Sequence, residues 1–386
     1  MEYKLCDFPW DDSERKAAIE VINSGNFTMG AKVQEFEKEF ARKMGAKYAA
    51  MVNSGSSANL LAIAALCYSK KLNPGDEIIV PAVSWSTTYC PLAQFGLKLV
   101  FVDIDRETLN IDIKSLEQAI NNKTKMIFLV NLLGNPNDFD KIKSLVEGKD
   151  IIVAEDNCES LGAKYNGKYA GTFGLFGTYS TFFSHHLCTM EGGVVTTDDR
   201  ELYDYMLSVR AHGWTRNLSS DTKIYEKKDD PFYESFNFIM PGFNLRPLEM
   251  EGAIGIEQLK KMDRMINQRK ENGKYFVDKM KTIKNVRVQK EVGESSWFGF
   301  AIVLENELSN KRSHIVSRLK DANIESRPIV AGNYTKNRAI EYMNYSIPFE
   351  LRNANEIHDC GFFIGNHSIN NNKEVDYFIQ VLTESI

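Results

Sequence analysis

The chain has 386 residues, 43% of them hydrophobic and 26% charged, a balance typical of soluble globular proteins and unlike disordered or fibrous ones. Its formal net charge of -5 leaves no basic footprint for nucleic acid, and no apolar run approaches the roughly 20 residues that span a bilayer. The N-terminus, MEYKLCDFPWDDSERK, lacks a basic-then-apolar leader, so the protein is expected to stay in the cytoplasm, where it is made.

Six cysteines are scattered without CxxC spacing, which suits a reduced compartment better than a disulfide framework or an iron-sulfur site. The six histidines form no HExxH-like ligand set, so no structural metal is expected. The length accommodates two domains.

In chain order, Ser13 to Ser24 reads as a helix, followed by a turn-rich GNFTMG that carries Asn26 and an exposed Phe27. That turn either lines a binding site or merely connects two helices. Val33, Phe36, Phe40 and Met44 recur at helical spacing and give the second helix. A short strand, Tyr48 to Val52, then stops at NSGSSANLLAIAALCYSK. Strand, glycine, serines and an apolar helix put free backbone N-H groups and a positive helix end at one point, which suits a phosphate around Gly55, Ser56 and Ser57. A serine that simply caps a helix from Ser57 to Tyr68 is the plainer alternative.

DEIIVP is a buried strand, and VSWSTTYCPLAQFG opens a helix with Trp85 near its start, either as core packing or as a plate for a flat ligand. Strands LKLVFVDID, KMIFLVNLLGN and IIVAEDNCES then alternate with helices IKSLEQAI and FDKIKSLVEG. Such alternation marks an α/β protein with a parallel sheet covered on both faces, and ligands bind outside the carboxyl ends of its strands. Asp156 stands at such an end and needs a cation if buried.

Thr178 to Phe183 reads as a strand leading to Ser184, His185 and His186, after which Glu191, Gly192 and Gly193 turn the chain into Val194 to Thr197. The two histidines admit three readings: a metal pair, a general base, or ordinary loop residues. Neighbouring strand side chains face opposite ways, so at most one is expected to do chemistry. A helix ELYDYMLSVRAHGWTRN ends near Arg210, His212, Gly213 and Arg216, and Ser219 to Asp230 reads as a polar surface loop. A long helical pattern after PGFNLRPLEME, weakened near Asp263, bridges a large domain, residues 1-250, to a small α+β domain that completes residues 251-386.

Phosphate cradle, stacking aromatic and strand-end aspartate are together what holds pyridoxal phosphate or its amine form, the aspartate keeping the pyridine nitrogen protonated. Through SGSSANL, VSWSTT, VAEDNCES, SHHLCTMEGG and PGFNLRPLEMEGAIGIEQL the chain resembles, over nearly its whole length, the DegT/DnrJ/EryC1/StrS sugar aminotransferases of fold type I. The resemblance implies an aspartate aminotransferase-like fold and a homodimer. Gly55, Ser56, Ser57 and Ser180 would hold the cofactor phosphate, Trp85 would stack on the ring and Asp156 would pair with its nitrogen. Asn244 and His212 would reach across from the partner subunit.

Two departures from the family pattern matter. The family's cofactor-binding lysine lies six residues before the Glu-Gly-Gly turn, where this chain has His185, and its usual glutamine three residues after the aspartate is here Glu159. The resemblance then implies a branch that carries SHH and, instead of making an amino sugar, removes the C3 hydroxyl of a GDP-linked 4-keto-6-deoxy sugar. L-glutamate would restore the cofactor amine. Asn26, Phe27, His212, Arg216 and Arg327 are the candidate substrate contacts, with Arg327 either on the glutamate carboxylate or in a structural ion pair. A CDP-sugar 3-dehydratase needing an iron-sulfur centre and a non-catalytic aminotransferase fold are the alternatives.

Overall fold

The computed structural model describes all residues from Met1 to Ile386. Its first helix, α1 (Asp12–Ser24), is set by a capping box in which Asp11 accepts the Ser13 N-H and Glu14 accepts the Asp11 N-H. α2 (Ala31–Met44) buries Val33, Phe36, Phe40 and Met44, the spacing expected of one helix face.

Strands and helices then alternate: β1 (Tyr48–Val52), α3 (Gly55–Tyr68), β2 (Glu77–Pro81), α4 (Ser86–Gln94), β3 (Lys98–Val102), α5 (Ile113–Ala119), β4 (Thr124–Val130), α6 (Phe139–Val146) and β5 (Ile152–Asp156). A two-residue hairpin, β6 (Lys164–Tyr165) and β7 (Lys168–Tyr169), precedes β8 (Phe176–Ser180) and β9 (Gly193–Thr197). The large sheet has the order β1-β9-β8-β5-β4-β2-β3-β13, the last strand being Tyr345–Ser346. Within it only β9 runs against its neighbours. Along β2 and β4, Ile78, Met126 and Phe128 join one buried cluster while Ile79, Ile127 and Leu129 join another. Both faces are therefore covered, and the strands read as continuous apolar runs for that reason.

α7 (Arg200–Arg210) and the short α8 (Pro231–Glu234) lead to α9 (Glu249–Met280), an unbroken helix of 32 residues that passes straight through Asp263. Beyond it, β10 (Val286–Val288), β11 (Gly299–Leu304), β12 (Ser326–Arg327) and β14 (Gly361–Gly365) form an antiparallel sheet in the order β10-β11-β14-β12. α10 (Arg312–Asp321) and α12 (Asn372–Ser385) pack against it, and α11 (Arg352–Cys360) lies between β13 and β14. This is the α/β architecture with a smaller α+β unit.

Two segments cross the expected division at residue 250. Tyr3 bridges Ile324 and lies in the core of the small unit, whereas β13 completes the edge of the large sheet beside β3. Two element limits also differ from expectation. The aromatic run stops being a strand at Ser180, where pairing with β9 ends, so His185 and His186 lie on a loop. α3 starts at Gly55 because Ser54, and neither Ser56 nor Ser57, caps it by accepting the Ser57 N-H at 3.0 Å.

Candidate active site

The carboxyl ends of β1, β5 and β8 meet at one edge of the sheet because β9 threads antiparallel between β1 and β8, pairing Gly193 with both Val52 and Ser180. Glycine is required there: a Cβ on Gly193 would lie 2.2 Å from the Ser54 carbonyl. Gly55 is equally constrained, since its Cβ would come 2.6 Å from that of Ser180. The close approach leaves the first turn of α3 open beside Ser56 and Ser180, with Ser56 Oγ 3.0 Å from Thr87 Oγ1. This end of α3, with its N-H groups open to the cavity, has a geometry suited to a phosphate.

Asp156 ends β5, is 5% exposed, and meets no cation. Asn59 Nδ2 donates to it at 2.9 Å, Thr88 Oγ1 at 2.7 Å and the Cys158 N-H at 3.1 Å. Thr178 donates to Asn59 Oδ1 at 2.6 Å, which fixes the amide with its nitrogen toward the carboxylate. Because the Thr88 proton goes to Asp156, Ser84 must donate to Thr88. The result is a buried carboxylate held in place by neutral donors, with its charge uncompensated. A protonated ring nitrogen is the partner such a group lacks.

A cavity of about 560 Å³ opens above these groups. Its lining includes Gly55, Ser56, Trp85, Asp156, Glu159, Ser180, His185 and Arg327, so the sheet edge brings together eight of the residues singled out in the sequence. Trp85 is 58% exposed, free to present its ring to a flat ligand. Glu159 accepts the Leu133 N-H at 3.1 Å, and burial pushes its carboxyl up to about 7, with the Asp156 charge adding to the rise. His185 has no hydrogen bond from its ring, and Nδ1 is buried. Burial holds its imidazole down to about 3, with the Arg269 charge adding. His185 therefore stands in the cavity as a neutral base. His186 turns the other way, is 1% exposed, and bonds through Nε2 to the Ser296 carbonyl at 3.1 Å.

Six named residues lie outside this cavity. Ser57 contributes its N-H to the Ser54 cap, and Asn26 lines a separate cleft of about 250 Å³ between α1 and α9, next to an exposed Phe27. His212, Arg216 and Asn244 form a cluster of their own around Trp214. The His212 ring is 5.1 Å from the indole, the Arg216 and Arg246 guanidiniums lie 5.9 Å and 5.7 Å from it, and Asn244 accepts from Arg246 at 2.9 Å.

Sequence reasoning passed over Asn59, Thr88 and Phe298. The first sits one helical turn after Gly55 and the second one turn after Ser84, a spacing that puts each on the face of its helix toward the cradle. Phe298 enters from the small unit, its ring 5.0 Å from His185 and 5.7 Å from His186, and no short-range pattern announces it.

A model of the DegT/DnrJ/EryC1/StrS aminotransferase family matches residues 10–383. The chain belongs to that family. Within this aminotransferase family, GDP-4-keto-6-deoxy-D-mannose 3-dehydratase of Escherichia coli O55:H7 is 54% identical over 386 residues, covering 99% of this chain and 100% of the relative. A solved GDP-4-keto-6-deoxymannose-3-dehydratase, a histidine-to-asparagine variant with bound GDP-perosamine, superposes with a TM-score of 0.97 at 54% identity over 99% of this chain and 100% of that one. The same values hold for the structure of that dehydratase with a trapped PLP-glutamate geminal diamine. The cation-free Asp156, the glycine-lined cradle and the exposed Trp85 fit pyridoxal phosphate, the cofactor of this family.

Proposed function

We propose that the protein removes the C3 hydroxyl of GDP-4-keto-6-deoxy-D-mannose, giving GDP-4-keto-3,6-dideoxy-D-mannose, with L-glutamate restoring the cofactor amine and 2-oxoglutarate and ammonia released. The observation that carries this reading is His185, an unpartnered neutral imidazole in the cavity at the position where the family resemblance places lysine. An imidazole accepts a proton but forms no covalent link to a carbonyl, so it keeps the base and gives up the tether.

Bound there as pyridoxamine phosphate, the cofactor supplies an amine that condenses with the 4-keto group and a protonated ring that takes up electrons. Asp156 keeps the proton on the ring nitrogen, and its buried, cation-free setting makes that pairing strong. The N-H groups at the start of α3, with Ser56 and Ser180, hold the phosphate, and Trp85 covers one face of the ring. His185 would be the base that accepts the proton beside the amine, and the bound ring would supply the electron sink that loss of the C3 hydroxyl needs. Glu159 stands beside Asp156 as a cofactor contact. Arg327, exposed on β12 and forming no ion pair in the chain, is the cation for the glutamate carboxylate.

The cavity as one chain builds it lacks Asn244, His212 and Arg216, and we assign these to the neighbouring site of a homodimer, with Asn244 on the cofactor and the other two on the substrate. Residues 1-250 then act as the cofactor-binding unit and 251-386 as the cover. The test is a panel of nucleotide 4-keto-6-deoxy sugars incubated with enzyme, pyridoxamine phosphate and glutamate. Mass spectrometry should show loss of the C3 oxygen from the GDP-linked sugar, and an amino sugar as the main product would sink the reading.

A further inference from the structure

Arg269, on α9, heads the largest fully buried side chains of the protein, at 2% exposure. Its Nη1 donates to the Asn366 carbonyl at 2.7 Å and the Phe298 carbonyl at 3.3 Å, and its Nε has no partner. Asp7 is the nearest carboxylate, 3.7 Å away, beyond hydrogen-bond reach. Asp7 is committed elsewhere, accepting the N-H of Ser368 at 3.0 Å and its hydroxyl as well. The guanidinium thus carries a charge that its neighbour only partly offsets, in a place where burying charge is costly.

We propose that Arg269 is a positioning residue for His185: it fixes the Ser296–Phe298 wall behind the imidazole and sets a buried positive charge against that wall. The mechanical half rests on the hydrogen bonds. Asn366 receives the Arg269 contact and returns Nδ2 to the Trp297 carbonyl at 2.7 Å, so Trp297 and Phe298 are both tied to α9. Trp297 sits at φ 47°, a left-handed setting that a tryptophan keeps only when its surroundings enforce it. This tripeptide holds both histidines, His186 through the Ser296 carbonyl and His185 through the Phe298 ring.

The electrostatic half rests on what else faces His185. Asp156 and Glu159 approach from the end of β5, Glu191 from its own loop and Arg327 from β12, with His186 adjacent. Glu159 is carried largely protonated to about pH 7, which mutes its opposing charge. Arg269 is the buried cation among these groups, and it disfavours a second positive charge on the ring. The inference rests on His185 acting as the base, which His185→Asn decides separately.

The test uses the cofactor-loaded enzyme with ¹³C-labelled histidine, comparing Arg269→Gln, which drops the charge but keeps amide donors, with Arg269→Lys, which keeps the charge and loses the fork. In the wild type the His185 ring signal should hold its neutral position down to pH 5. In Arg269→Gln it should begin to titrate about one pH unit higher, and the acid limb of kcat should rise with it. Arg269→Lys should leave the ring signal unmoved while kcat falls about tenfold at unchanged KM for the GDP-sugar, the mark of a loosened wall. Should Arg269→Gln fail to fold, Asp7→Asn, which unmasks the guanidinium, should lower the acid limb of kcat. An acid limb that stays in place in whichever of these two variants folds overturns the proposal.

Discussion

His186 gives its Nε2 proton to the Ser296 carbonyl at 3.1 Å, while the ring of His185, one residue earlier, hydrogen-bonds to nothing in the chain. A carbonyl only accepts, so His186 is fixed as the Nε2-H tautomer and its Nδ1 is left a bare, buried lone pair. One histidine is thereby part of the frame and the other is available for chemistry.

Replacing His185 by lysine should create a covalent attachment to the cofactor, seen as a shifted absorbance that survives dialysis, while loss of the C3 oxygen collapses. His185→Asn should lose the reaction too, by about 100-fold or more, without gaining the attachment. Normal turnover by His185→Asn would reassign the base.

His186→Ala should act on stability instead, costing about 1–3 kcal/mol for the orphaned carbonyl and the space left behind, with kcat kept within a few-fold. Acid should act through the same ring. Burial holds the folded-state pKa of His186 well below its ordinary value, so the unfolded chain takes up this proton first, as pH falls through about 6.5. The contribution is intact above that pH and lost below it. Urea midpoints at pH 8 and pH 5.5 should therefore differ more in the wild type than in a His186→Asn variant.

At Asp156, replacement by asparagine should remove dehydration while leaving the fold intact or firmer. The carboxylate is buried against three neutral donors with no cation in the chain, so deleting its charge relieves an unpaired buried ion, and that relief offsets the one donor that the asparagine Nδ2 leaves without an acceptor. Thermal melts of the cofactor-free protein should show no loss of Tm, and a retained reaction would show that the ring-nitrogen role is misassigned.

Glu159→Gln has a signature in pH. The Glu159 carboxyl is raised to about 7 in the folded protein, so from its ordinary value near 4.3 up to 7 the folded state holds a proton that the unfolded state has released. Stability from this group is present at low pH and lost as pH rises through 7. The glutamine variant should accordingly be more stable than the wild type at pH 8, with the gain shrinking toward pH 5 in paired denaturation curves.

Shared sites predict complementation. A His185→Asn protein and an Asn244→Ala protein, each nearly inactive, should recover up to about one quarter of wild-type activity when unfolded, mixed and refolded together, since half the dimers are mixed and each carries one intact site. Sedimentation should show a dimer throughout. No recovery on mixing would place Asn244 in its own chain's site.

The cradle and the strand-end aspartate were legible because each is written in a few consecutive residues. SGSS followed by an apolar helix, and IIVAED followed by polar residues, need no distant partner to be recognised. His185 was legible by its distance from Glu191 once the family pattern was in view. The two donors that hold Asp156 were not, for Asn59 and Thr88 lie 97 and 68 residues from it in sequence and carry no local signal. Phe298 lies on the loop just before β11 of the other sheet, and Arg269 on a helix that faces both units. The aromatic run before His185 has strand propensity, but pairing with β9 satisfies it only as far as Ser180, so the residues beyond it form a loop.

Tyr3, which donates to the Asn323 carbonyl and bridges Ile324, has a consequence for how the molecule comes into being. Tyr3 waits for some 320 later residues to be made before its partners exist, and β1 likewise waits for β9 before it can join the sheet. The nascent chain therefore exposes its first helices and an unpaired β1 through much of synthesis, and no truncated product short of Thr197 can close the cradle. Cofactor capture is a late event, and retention of pyridoxal phosphate on a growing series of C-terminally truncated chains would report when the protein becomes whole.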